Sequence, residues 1–152
     1  VAHQIKAPMK TYEIIDHTAD IGIRVYGKNL EQLFINAARA MFKIMLEPTK
    51  KRSIFQKEEY EKFLLNKEGK SLEDVFLVWL SELLYLFSTE GLIMDKADVQ
   101  KLDANSIRAE VSGRIFNPDF YRIKTEIKAV TYHELEVKET DKGYQAQVIF
   151  DV

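Results

Sequence analysis

The chain reads as an α+β protein, with two helices packed on a largely antiparallel β-sheet in a single two-layer domain. Three observations predict this. Apolar residues recur at helical spacing in two separate stretches, one starting at Leu30 and the other at Leu72. Alternating apolar and polar residues mark strands ahead of the first helix and through the last third of the chain. Turn sequences such as Asn117-Pro118-Asp119 and Asp141-Lys142-Gly143 separate those strands.

Taken in order, residues 12–16 and 21–27 predict two strands around a short polar turn, with Ile21, Ile23 and Val25 alternating against Gly22, Arg24 and Tyr26. Asp20 therefore stands at a strand entrance. Asn29, with Gln32 three residues on, resembles a capping box, and Leu30, Leu33, Phe34, Ala37, Met41, Ile44 and Met45 trace one helix face until Pro48 forbids continuation. Residues 52–65 mix charges and large apolar side chains without a clean period; they are assigned to a strand or extended segment, followed by a turn over 66–70. Ser71 with Asp74 opens the second helix, whose stripe of Leu72, Val75, Phe76, Trp79, Leu80, Leu83, Leu84 and Phe87 ends near Gly91. Leu77, Val78 and Leu86 widen that stripe, which fits either deep burial against a sheet or an exposed patch for a partner. A domain of this size needs a central helix, which favours burial.

Ile107, Ala109, Val111 and Ile115 alternate with polar neighbours and predict a further strand. Tyr121, Ile123, Ile127 and Ala129 then alternate with Arg122, Lys124, Glu126 and Lys128, predicting one strand over 121–129 with Lys128 on its wet face. Residues 134–139 and 144–152 flank Asp141-Lys142-Gly143 as a hairpin. In its second strand Tyr144, Ala146, Val148, Phe150 and Val152 share one face, which leaves Asp151 on the other with Gln145 and Gln147.

A length of 152 residues with 46% hydrophobic content suffices for one core and is short for two domains. Residues 1–8 lack a clear pattern and are read as a leader or expression remnant, with the domain over 9–152. The 22 basic and 24 acidic residues give a net charge of −2, which provides no overall attraction to a nucleic-acid backbone. Cysteine is absent, removing disulfides, thiolate metal sites and cysteine nucleophiles, as suits a reducing cytoplasm. No apolar run reaches the eighteen or so residues of a transmembrane helix, and no secretory signal pattern is present. A soluble cytoplasmic protein is expected. The six glycines are scattered, so there is no phosphate-cradling loop, and no nucleophile elbow is found.

Three segments carry the chemistry: Asp16-His17-Thr18-Ala19-Asp20, Lys128-Ala129-Val130-Thr131-Tyr132-His133, and Phe150-Asp151-Val152. Asp151 lies beside the terminal carboxylate of Val152. Joined in space by Asp20, these oxygen donors could form a Ca²⁺ or Mg²⁺ site, whereas exposed carboxylates are mostly just solvated. His17 and His133 could serve as base or metal ligand, although a histidine at a turn is more often a hydrogen-bonded structural residue. Thr18 could close the turn before Asp20 through its hydroxyl, and Lys128 could simply be a solubilising surface lysine.

These segments, with residues 21–27 and the helix opening Leu30-Glu31-Gln32-Leu33-Phe34, resemble archease, the small accessory protein of RtcB-type tRNA-splicing RNA ligases. The resemblance runs from about residue 12 to 152 and is weakest over 50–69. It implies a non-catalytic activator that promotes guanylylation of the ligase, allows multiple turnover and broadens its use of nucleoside triphosphates. It implies RNA contact only through the ligase. It also implies metal ligation by Asp20, Asp151 and the terminal carboxylate of Val152, with Lys128 on the functional surface. The family usually ends in Asp-Ile or Asp-Leu, so Val152 is a mild departure that keeps the carboxylate. Readings from other classes are a general chaperone or protein-interaction module using the second helix, and a metal-dependent hydrolase acting on RNA through Asp20, Asp151 and His17. The lack of a second acidic cluster and of a basic groove counts against the hydrolase.

Overall fold

The computed structural model describes residues 10–15, 19–49 and 57–152. The element order is β1 (Tyr12–Ile15), β2 (Ile21–Gly27), α1 (Leu30–Met45), β3 (Leu46–Pro48), β4 (Tyr60–Glu68), α2 (Leu72–Glu90), β5 (Leu92–Leu102), β6 (Ser106–Ile115), β7 (Tyr121–Ile123), β8 (Ala129–Thr140) and β9 (Gly143–Asp151). This is the predicted α+β class, and all the pairings are antiparallel. The strands divide among three sheets rather than one: β1-β2-β9-β8, β3-β7 and β4-β6-β5. Residues 1–8, read as a leader, lie outside the described residues, as do His17, Thr18 and the start of the 52–65 segment.

Both helices begin as their sequences predict. Asn29 accepts the Gln32 amide at 2.8 Å while Gln32 Oε1 accepts the Lys28 amide at 2.8 Å. Ser71 Oγ accepts the Asp74 amide at 3.1 Å while Asp74 Oδ2 accepts the Lys70 amide at 2.8 Å. Each pair satisfies amides that a helix start would otherwise leave open. α2 stops at Gly91, whose φ of 74° places it in the left-handed region that glycine enters without a Cβ clash.

The helices meet around Phe34 and Trp79. The Trp79 indole donates to the Phe34 carbonyl at 2.9 Å, and the Phe34 and Phe76 rings pack edge to face at 5.2 Å. All three side chains are fully buried, each worth about 2 to 3 kcal/mol in apolar area removed from water. Val75, Leu77, Leu80, Leu83 and Leu84 are buried with them, so the wide stripe of α2 is core and not an exposed patch. No helix among the described residues is long and apolar enough to cross a membrane.

The strand prediction changes in several parts. β5 is an eleven-residue strand where none was expected, and it pairs with β6 through two irregularities, at Met94/Lys96 and Val99/Lys101. The strand expected over 121–129 is two strands in different sheets. β7 pairs with β3, the backbone then leaves that sheet over residues 124–128, and β8 begins at Ala129 beside β9. The regular alternation of 121–129 spans a crossover between sheets. β4 also runs on to Glu68, through most of the expected turn.

Candidate functional site

The site follows from the place of β9. It lies inside its sheet, with β2 on one side and β8 on the other. On the first side the register pairs Ile21 with Phe150 and Gly22 with Ile149. Asp20 immediately precedes Ile21, which puts it at the same end of the sheet as Asp151, beyond the last register pair. On the other side Ala129 pairs with Asp151, and the Lys128 amide donates to the Asp151 carbonyl at 2.8 Å. The fold thus gathers Asp20, Lys128 and Asp151 at one end of one sheet from three distant parts of the chain.

The faces follow from the same register. Phe150 is buried in the core and Ile21 packs against it, so Asp151, the next residue of β9, belongs to the outer face. Asp20 is half-buried and Asp151 exposed. Val152 packs partly against the core. Ala129 faces outward with Asp151 while Val130 packs inward, the reverse of the alternation expected across 121–129. Lys128 is exposed because it lies just ahead of β8, not because it occupies the wet face of a strand.

Among the described residues, no three His, Cys, Asp or Glu side chains converge as metal ligands. Asp20 and Asp151 bring two side-chain carboxylates to this strand end.

The Lys128–His133 segment has a feature with no sequence signal. Between the pairs Thr131–Ile149 and Glu136–Gln147, β8 carries four residues, Tyr132 to Leu135, where β9 carries one, Val148. This wide bulge turns at Glu134, which at φ 53° is the one non-glycine residue with positive φ among the described residues. Tyr132 and His133 stand exposed on it. Their neighbour Thr131 anchors the near side, its hydroxyl donating to the Ile149 carbonyl at 2.9 Å.

The Tyr132 hydroxyl donates to Asp74 Oδ1 at 2.7 Å, tying the bulge to the start of α2. The Lys70 amide and then the Tyr132 hydroxyl hold the Asp74 carboxyl below its ordinary value, while the bond to Asp74 raises the Tyr132 phenol above its own. A lowered carboxylate contributes above its unfolded pKa and loses that contribution as the pH falls through its folded one. A raised phenol contributes below its unfolded pKa and loses it as the pH rises through its folded one. The tie therefore persists from mildly acidic solution into mild alkali. Asp74→Asn is expected to let Tyr132 titrate closer to an ordinary tyrosine, as read by ultraviolet pH titration with Tyr132→Phe assigning the signal. An unchanged titration would show that the hydroxyl does not use Asp74.

The Archease protein family model matches residues 12–152. The chain belongs to the archease family. The archease of Methanosarcina mazei is 39% identical over 147 residues, covering 94% of this chain and 97% of that protein. The archease of Saccharolobus islandicus is 35% identical, covering 95% of this chain and 100% of that protein. The solution structure of Methanobacterium thermoautotrophicum protein 1598 superposes with a TM-score of 0.69 at 33% identity, over 95% of this chain and 100% of that one. A Thermotoga maritima structure described as an archease and possible chaperone shares the fold, with a TM-score of 0.59 at 23% identity over 99% of this chain and 100% of that one. These archease relatives thus span nearly the whole chain, including the strand end that carries Asp20, Lys128 and Asp151.

Proposed function

We propose that this archease-family protein is a non-catalytic activator of an RtcB-type RNA ligase, promoting guanylylation of the ligase and its multiple turnover in tRNA splicing. The observation that carries this reading is the convergence of Asp20, Lys128 and Asp151 on the two flanks of β9. Family membership supplies the expectation of an accessory role, and a net charge of −2 fits action through a protein rather than on RNA directly. In this reading Asp20, Asp151 and the carboxylate of Val152 would hold Ca²⁺ or Mg²⁺, with water or the ligase completing a shell of roughly six to eight oxygens. Such an ion supplies hard positive charge beside the exposed Lys128, the combination that steadies a nucleoside triphosphate or an acidic group for attack.

The test is multiple-turnover RNA ligation with the cognate ligase and substoichiometric protein, alongside a labelled-GTP assay. Faster guanylylation and repeated turnover are expected; equal rates with and without the protein would end this reading. Lys128→Ala should lower the plateau of activation while changing stability by no more than about 0.5 kcal/mol, because the side chain is exposed. Full activation by a folded Lys128→Ala protein would return the residue to a solubilising role. A chaperone-like role, suggested by the description of the Thermotoga structure, would use a surface other than α2, whose apolar stripe is buried. Suppression of aggregation of unrelated proteins would support it.

A further inference from the structure

The outer face of the four-stranded sheet carries a polar relay that crosses every strand. Glu13 on β1 accepts from the Tyr26 hydroxyl at 2.8 Å and from Arg24 at 3.3 Å, both on β2. Arg24 also donates to Gln147 Oε1 on β9 at 3.2 Å, and Gln147 Nε2 donates to the Glu134 carbonyl on β8 at 3.2 Å. The amide orientation of Gln147 is set by its neighbours, since Arg24 offers only donors and a carbonyl only accepts. The relay ends at the residue whose backbone is left-handed. On its other side the bulge is held by the Tyr132 hydroxyl on Asp74.

A left-handed glutamate is strained by its Cβ and persists only where surrounding contacts over-determine it. Here the contacts come from two elements that do not share a strand with it, β9 and the first turn of α2. They act on the segment that begins at the exposed Lys128 of the candidate site. Ordinary sheet pairing cannot do this work, because β8 and β9 are out of register over the bulge.

We propose that Gln147 and Asp74 are positioning residues for the Lys128–His133 segment, holding the Tyr132–Leu135 bulge in the single conformation that the ligase partner engages. This rests on the proposed function for the partner, but the tethering itself does not. A partner that binds only one conformer has its apparent affinity reduced by the fraction of molecules in that conformer. Loosening the bulge should therefore raise the concentration needed for half-maximal activation and leave the plateau unchanged. Lys128→Ala, by contrast, should lower the plateau.

The experiment compares wild type with Tyr132→Phe, Gln147→Glu and the double variant. Tyr132→Phe keeps the ring and removes only the hydroxyl. Gln147→Glu keeps an acceptor for Arg24, removes the donor to Glu134 and sets a carboxylate against the Glu134 carbonyl. Hydrogen exchange of the amides of residues 132–135 is measured on the protein alone, and guanylylation is titrated with the ligase. In the double variant, exchange at the bulge is expected to quicken at least about tenfold, the scale of two lost hydrogen bonds of ordinary strength. The half-saturating concentration should rise by a similar factor, with thermal unfolding and plateau close to wild type. If the double variant does not fold, the single variants carry the same comparison with smaller shifts. Unchanged exchange at the bulge would overturn the tethering. Faster exchange with an unchanged half-saturating concentration would overturn the positioning role. If wild type itself fails to activate, the proposed function falls and positioning for that partner falls with it, while the exchange comparison still reports on the tether.

Discussion

Gly113→Ala is expected to leave little folded protein, measured as loss of soluble yield or of cooperative thermal unfolding. A Cβ at this position would stand 1.8 Å from the Ile93 carbonyl oxygen and 2.9 Å from the Asp95 amide nitrogen, both backbone atoms of β5. They cannot swing aside as a side-chain tip would. They belong to the irregularity at Met94/Lys96, where β5 kinks towards β6. The sheet must open there to admit one methyl group. The cost belongs with the largest single-site effects, about 4 to 5 kcal/mol, against a total of roughly 5 to 15 kcal/mol for a domain. A Gly113→Ala protein that melts within a few degrees of wild type would mean that β5 and β6 do not approach so closely.

Asp151→Asn is expected to do the reverse, keeping the fold and losing the function. Without metal, removing the exposed Asp151 carboxylate should change stability by no more than about 0.5 kcal/mol. Calcium or magnesium affinity by calorimetry should fall at least about 10- to 100-fold, and ligase activation should fall with it. Asp20→Ala should lose binding in the same way. Extending the chain beyond Val152 with a tag turns the terminal carboxylate into an amide and keeps every side chain, so a purely structural strand should tolerate it and a carboxylate-ligated cation should not. Equal metal affinity in tagged and untagged protein would remove Val152 from the site. No measurable binding in any form would leave Asp20 and Asp151 as surface acids or direct contacts to the partner.

Much of the scaffold was legible because its signals are local. The caps at Asn29 and Ser71, the stop at Gly91 and the turn before Gly143 each rest on a few adjacent residues, and each forms as expected. β5 was hidden because its two irregularities shift the alternation twice and charges at Asp95, Lys96, Asp98 and Lys101 blur the rest. The join of β7 to β8 misled for the opposite reason, since a crossover between sheets happened to preserve alternation. At the candidate site, the order Asp20, Lys128, Asp151 could be read, but their convergence needed the inner position of β9, a matter of pairing between remote segments. The bulge gave no sign, because its left-handed residue is a glutamate rather than glycine or asparagine, and its tether to Asp74 links positions 58 apart.

The inner position of β9 also bears on how the chain reaches this shape. Arg24 and Gln147, which touch, are 123 positions apart. β1 and β2 can form a hairpin early, but nothing covers their other flank until β9 has emerged and folded back between β2 and β8. Closure over so long a loop precedes its reward, the circumstance that slows folding and leaves strand edges open meanwhile. The loops that close last also bring Asp20, Lys128 and Asp151 together, so an unfinished molecule cannot present the proposed surface. A ligase that responds only to the assembled strand end would be insulated from nascent or misfolded copies of its own helper.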